Sequence, residues 1–309
     1  MSGPSGRVDV HQHLWPSELV AALRARRTPP FLDGWTLRLA GEAPYPVRAA
    51  DHDVAARAAR DSDAAAVLVA LSCGLGIHDL DAAEAAPLLD AWHTGALALG
   101  APFRPWAAVT RRDPDLDGLA RLLASDFVGL EVSANWLATP EALSAIADTL
   151  RVCERAGRPV LVHPGPVSDG YTPSVSWWAP VVNYVAQLQA AWWSWRALGR
   201  TLFPSLRVCF AACAGLAPAH HERFLARGGY REPVDPDTFV DTSSYGPQGV
   251  GAVTRALGID VICAGSDRPY AEPLSAQPGL LDLGAAALHA IHVTNPRRLL
   301  TGAPTGRTP

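Results

Sequence analysis

The chain has 309 residues, 49% of them apolar and 18% charged, and a formal charge of −4. This balance excludes a disordered or fibrous protein, and with no basic run it argues against a nucleic acid or a membrane surface as partner. All 26 basic residues are Arg, so neither a Schiff-base lysine nor a carboxylated bridging lysine is available.

Eight short apolar segments recur, each bounded by Gly, Pro, Asp or Ser. They are residues 7–13, 65–72, 104–110, 127–133, 159–165, 206–212, 239–245 and 260–266. Several are continuous apolar runs, as expected of parallel strands buried on both faces. Helical patterns lie between them. Pro16 to Arg26 is amphipathic, Asp53 to Arg60 is rich in Ala and Arg, and Ala82 to Ala98 and Leu116 to Ala124 follow. Thr139-Pro140-Glu141 opens another helix with a capping residue and Pro at its first position, and Asn295-Pro296 opens the last. Eight strand–helix units predict one (β/α)₈ barrel domain over residues 1–309, longer than the roughly 250 residues such a barrel needs. Residues 28–50, with a hairpin expected around 35–47, form an insertion after strand 1. Residues 164–200 form a long connection after strand 5, carrying Trp177, Trp178, Trp192, Trp193 and Trp195.

Five Cys (73, 153, 209, 213 and 263) include no C-x-x-C pair, which argues against a cysteine zinc site and for reduced thiols. The opening MSGPSGRVDV has no apolar core of a signal peptide, and the apolar run near Ala64 to Ile77 is too short to span a bilayer. The expected location is the cytoplasm, with a small molecule as partner and a homodimer left open.

Polar residues capable of chemistry gather at predicted strand ends. His11 and His13 are two apart on the first strand and so share a face. In a barrel, the C-terminal strand ends carry the active site. H-x-H alone describes ordinary strand histidines as often as ligands. His163 ends strand 5 before Pro164-Gly165-Pro166, and Asp267 ends strand 8. Barrel closure would bring these four to one point. Three imidazoles and a carboxylate can hold a divalent cation, zinc first and manganese or iron as alternatives, with room for a water of lowered pKa.

In these segments the chain resembles the amidohydrolase superfamily, in particular its amidohydrolase-related branch with aminocarboxymuconate-semialdehyde and resorcylate decarboxylases. The resemblance rests on VDVHQHLWP, VGLEV, VLVHPG, LRVCFAACAGLAP, FVDTSSYG, AGSDRPY and NPRRLL. It implies metal-dependent hydrolysis of a small amide, ester or lactone, with decarboxylation as the alternative. One departure stands out: Ala212 occupies the place where the family carries a His at the end of strand 6.

Another residue can take over from that His, with His220, His221, Tyr245 and Arg268 as candidates. Asp267 can serve alone as general base, or the barrel binds a ligand without catalysis. Arg268 offers a fork for a substrate carboxylate or a structural salt bridge. Trp177 is a candidate for an apolar wall over the metal, while most of the other Trp rings are expected in the core. Cys213 is a further candidate ligand or nucleophile. Glu131 can bridge two metals or be an ordinary strand-end carboxylate.

Overall fold

A computed structural model describes residues 6–40, 42–167, 175, 177–272 and 284–302. Each of the eight apolar segments overlaps a strand, two of which begin one residue earlier than expected: β1 Val8–His13, β2 Ala66–Ala70, β3 Phe103–Pro105, β4 Leu130–Ser133, β5 Val160–His163, β6 Val208–Phe210, β7 Thr238–Asp241 and β8 Ile262–Cys263. β1, β2 and β3 pair in parallel, as do β4 through β8 in chain order. Two backbone seams close the ring. Ala107 N–H donates to Gly129 O at 2.8 Å and Glu131 N–H to Ala107 O at 2.9 Å, joining β3 to β4. Val10 N–H donates to Ala264 O at 2.8 Å and Asp267 N–H to His11 O at 2.9 Å, joining β8 to β1. The (β/α)₈ barrel is therefore complete.

Alternation divides the apolar side chains between two cores. Val8, Val10, Leu68, Trp106, Leu161, Cys209 and Phe239 form one buried cluster, the barrel interior, which Leu299 and Leu300 of the last helix also enter. Val67 and Val69 face the other way, as do Val160, Val162, Phe210 and Val240, and pack under the surrounding helices. Burial on both faces explains why these strands read as unbroken apolar runs.

β1 breaks its own alternation. Asp9 lies opposite Val67 and Gln12 opposite Val69, so three steps on β1 match two on β2. This is a one-residue β-bulge, a device that re-aims side chains. Asp9 secures it: Oδ1 accepts from His11 N–H at 3.2 Å and Ser266 N–H at 3.0 Å, and Oδ2 accepts from Gln12 Nε2 at 2.9 Å. Buried Arg57 donates to Gln12 Oε1 and, at 3.1 Å, to the carbonyl of His13.

The helices fall close to their expected bounds. They include Ser17–Ala25, Val54–Arg60 with Asp53 as cap, Ala82–Ala98, Leu116–Ala124, Pro140–Ala145 capped by Thr139, and Asn295–Thr301. The insertion folds as a small antiparallel sheet of Phe31–Asp33, Thr36–Arg38 and Tyr45–Pro46. His52 pins it to the barrel. Its ring stacks on Trp15 at 4.4 Å and lies parallel to Trp35 at 6.1 Å, and its Nδ1 accepts from Trp15 N–H at 3.1 Å. The connection after β5 forms a helix over 179–202, with wider π turns at Ala179–Asn183 and Trp195–Gly199; residues 168–174 and 176 lie outside the described residues. Trp192 and Trp195 are buried in the outer core. All five Cys are free and buried, and among the described residues no helix is long and apolar enough to cross a membrane.

Two stability predictions follow from this packing. An added Cβ at Gly129, just before β4, would meet Pro159 O at 2.1 Å and the Trp106 ring at 2.6 Å. Both neighbours are fixed in the barrel wall, so Gly129→Ala should destabilise by about 3 kcal/mol and lower the thermal midpoint by several degrees. Burial, with the charges of Arg57 and His13, lowers the His52 pKa to about 3. The unfolded chain binds a proton at this residue below its ordinary pKa near 6.5, whereas the folded state does not. Its contribution to stability is full above that pH and is lost as pH falls toward 3. Melting curves of His52→Gln should therefore lose less midpoint between pH 7 and pH 5 than those of the parent.

Candidate metal centre

The bulge in β1 turns His11 and His13 into the barrel mouth, where His163 arrives from β5 and Asp267 from the turn after β8. His13 Nε2 lies 3.1 Å from His11 Nε2 and 3.3 Å from His163 Nε2. Asp267 Oδ1 lies 3.6 Å from His11 Nε2 and 3.3 Å from His13 Nε2. Each imidazole is held from behind at its other nitrogen. His11 Nδ1 meets Asp241 Oδ2 at 2.9 Å. His13 Nδ1 meets Ser72 Oγ at 2.9 Å and Ala70 O at 3.2 Å. His163 Nδ1 meets Pro164 O at 2.8 Å.

These outer acceptors assign the protons. Carbonyl and carboxylate oxygens can only accept, so each Nδ1 carries the hydrogen and, in the neutral ring, Nε2 presents a bare lone pair. With all three imidazoles neutral, three lone pairs and a carboxylate oxygen face one another. That arrangement is repulsive by itself and is relieved by a cation. Zinc bonds of about 2.0–2.2 Å in a tetrahedron place ligand atoms roughly 3.3–3.6 Å apart, close to the spacing found. The residues present thus fit a divalent metal.

The electrostatics are correspondingly strained. Burial opposes a charge on His11, but the Asp241 carboxylate at Nδ1, with Asp267 and Asp9 further off, raises its pKa to about 9. Burial and the neighbouring His11 and His13 push His163 down to about 4. Asp267 stays ionised despite burial, held at about 2 by the His13 hydrogen bond and the charges of the three imidazoles.

The other candidates take partners of their own. Arg268 turns its Nη1 to Asp61 Oδ1 at 2.9 Å, the structural salt bridge; since Gln12 also donates to Asp61, the pair seats the turn after β8 against β1. Tyr245 is half-buried, its ring close against Gly249. Trp177 is exposed, its nearest aromatic neighbour Trp178 at 5.8 Å. His220 and His221 sit where an outer helix begins, the former exposed. Cys213 is buried in the outer core, where burial and Asp241 hold its thiol protonated.

Ala212 opens a left-handed turn. Residues Ala212, Cys213, Ala214 and Leu216 have φ of 46°, 50°, 53° and 62°. Ala212 N–H donates to Asp241 Oδ1 at 2.9 Å and Ser243 Oγ at 3.0 Å. Several participants escaped the sequence reading. Asp241 is the foremost, although it ends the seventh strand much as His163 ends the fifth. The others are Ser72, Tyr184 and Tyr270, whose ring lies 5.2 Å from that of His13.

No protein-family model matches the chain, and no curated protein does. Solved structures do. An amidohydrolase II superposes with a TM-score of 0.72 at 19% identity, covering 96% of this chain and 99% of that one. A 2,6-dihydroxybenzoate decarboxylase bound to 2,6-dihydroxybenzoate gives 0.67 at 16% identity, over 96% and 99%. The 5-carboxyvanillate decarboxylase of Novosphingobium aromaticivorans, in complex with manganese and 4-hydroxy-3-methoxy-5-nitrobenzoic acid, gives 0.67 at 15% identity, over 95% of each chain. At such identities the likeness establishes the shared barrel fold.

Asp241 provides a test of the proton assignment. Its Oδ1 accepts from Ala212 N–H, Ser243 N–H and Ser243 Oγ–H, and its Oδ2 from His11. An Asn here must keep its oxygen toward the three donors and turn its amide N–H₂ to His11, which moves the His11 proton to Nε2. Asp241→Asn should therefore bind zinc about 10–100-fold more weakly in chelator competition, with its far-UV circular dichroism unchanged.

Proposed function

We propose that the protein is a metal-dependent, non-oxidative decarboxylase of a small aromatic or unsaturated carboxylic acid, acting as a single barrel domain in the cytoplasm. The observation that carries the metal dependence is the meeting of three imidazole Nε2 atoms with Asp267 Oδ1 at the barrel mouth. His11, His13, His163 and Asp267 would hold the ion. When bound, the ion supplies Lewis-acid polarisation of a substrate oxygen. The imidazole donors favour zinc; the manganese in the carboxyvanillate decarboxylase supports manganese as the alternative.

Decarboxylation is preferred to hydrolysis for two reasons. Two of the similar barrels are named decarboxylases. Residue 212 is Ala where the family resemblance implies a His, which leaves either reaction short of a proton carrier and weighs most on the one that needs more proton transfers. Hydrolysis needs a proton taken from water and another delivered to the leaving group. Decarboxylation breaks one C–C bond, releases CO₂ and needs a single proton on the carbon left behind. Asp267, held ionised, would relay that one proton from solvent to the carbon. Its side chain is 19% exposed, Oδ1 faces the imidazoles, and Oδ2 receives Ser244 Oγ–H at 3.4 Å.

Tyr270 beside His13 and Tyr184, whose phenol feels the Asp267 charge, would wall the mouth and exclude water. Trp177 and Tyr245 stay in the proposal as substrate contacts, from the connections after β5 and β7. Arg268 contributes indirectly, through its pair with Asp61.

A panel of hydroxybenzoates and unsaturated acids, assayed for CO₂ release, tests the reaction. His11→Ala and His163→Ala should each lose one metal equivalent per chain and at least about 10²-fold in turnover. Release of an amine or alcohol from amides or esters, without CO₂ from any acid, would restore the hydrolase reading. A His163→Ala protein that keeps its full metal content would remove the centre itself.

A further inference from the structure

Behind the four-ligand centre lies a second group of donors. Cys73 and His78 stand on two single-turn helices after β2, Cys73–Leu75 and Ile77–Asp79. Glu131 projects from β4. All three are buried, with 0%, 1% and 0% exposure. One donor atom from each lies within 4.8 Å of the others, and His78 Nε2 is 3.9 Å from Glu131 Oε2.

The group is only partly satisfied as it stands, although the Cys73 thiol hydrogen-bonds to Glu131. Leu71 N–H donates to Glu131 Oε2 at 3.0 Å, but among the described residues Glu131 Oε1 and both ring nitrogens of His78 have no hydrogen-bond partner. Orphaned polar atoms at such depth are rare in folded proteins and call for an explanation. Protonating His78 gives Glu131 a counter-ion but leaves two N–H groups without acceptors. Leaving His78 neutral leaves Glu131 to the Leu71 N–H, the Cys73 thiol and the more distant His163 and His13, with both His78 nitrogens still unpartnered. No Lys exists and no Arg pairs with Glu131 among the described residues.

We propose that Cys73, His78 and Glu131 form a second, thiolate-containing site for a zinc-like divalent cation, distinct from the four-ligand centre. Sulfur, imidazole and carboxylate are the donor types that zinc takes. On binding, the Cys73 thiol releases its proton to solvent as the sulfur–metal bond forms. A thiolate, a carboxylate, a neutral imidazole and a dication sum to zero charge, the condition a buried site requires. Glu131 Oε1 also lies 4.0 Å from His163 Nδ1, so the filled site borders the first centre through these two side chains. The proposal stands independently of the decarboxylase reading, because none of its three donors is a ligand of the first centre.

Metal content and spectroscopy decide it. The full-length protein loaded with zinc should carry two equivalents per chain by elemental analysis. Loaded with Co²⁺, it should show a near-ultraviolet thiolate-to-cobalt charge-transfer band. Cys73→Ser should lose the band and one equivalent. His78→Gln should lose one equivalent, while Cys213→Ser should keep both band and content. His11→Ala should lose one equivalent and keep the band, which separates failure of the first centre from failure of the second. If the parent protein shows no charge-transfer band, or keeps it in Cys73→Ser, the proposal is overturned. The parent spectrum decides even where a variant fails to fold.

Discussion

Between Asp9 and Gln12, β1 carries one more residue than its neighbour β2, and the geometry of the centre descends from that bulge. Val8 and Val10 face the barrel interior. Under strict alternation His11 and His13 would then face the helices. The extra residue reverses the parity, so that valines and histidines share the inward face. A bulge leaves backbone groups unpaired, and Asp9 takes up one of them at His11 N–H while tying Ser266 of the turn after β8 to the same carboxylate. Asp9, Gln12, Arg57, Asp61 and Arg268 thereby form one polar network outside the strand that holds both ends of the ligand set.

What the bulge brings together, the hydrogen bonds behind it polarise. Oxygen acceptors at all three Nδ1 atoms turn the imidazoles into outward donors and inward lone pairs. Without a cation, the result is an uneven set of protonation preferences, with His11 raised to about 9 and His163 lowered to about 4 although their ring centroids lie 4.9 Å apart. A dication removes the conflict because it asks every imidazole for the same neutral state.

Asp241 serves two regions at once. One oxygen fixes His11; the other gathers the amides of Ala212 and Ser243. The second role matters because four non-glycine residues after β6 are left-handed, a conformation that costs roughly 1–2 kcal/mol per residue. Helix Tyr184–Ser194 packs on that turn, and Gln189 Nε2 donates to Gly215 O at 2.9 Å. The strain is therefore borne by contacts that also place Tyr184 near the mouth. At residue 212 itself the side chain is a methyl group, so the backbone amide is the only polar group this residue contributes to the Asp241 network.

All eight strands were legible in the sequence because a barrel strand buries both faces and leaves an unbroken apolar run between turn residues. The candidate ligands were legible because His11, His13, His163 and Asp267 each sit at the end of such a run, where strand direction alone puts them at one rim. Asp241 met the same criterion and was overlooked among the small polar residues that follow it. Pairwise facts were beyond reach. Whether Arg268 holds a substrate or Asp61 depends on residues 207 positions apart. The bulge depends on the register of β1 against β2, and the meeting of Cys73, His78 and Glu131 on how two short turns fold over β4. Local patterning, set by the burial of each strand, determined the barrel and which residues gather at its mouth. Closure of the sheet decided which lone pairs face each other, because that is a matter of distance between segments the chain itself keeps far apart.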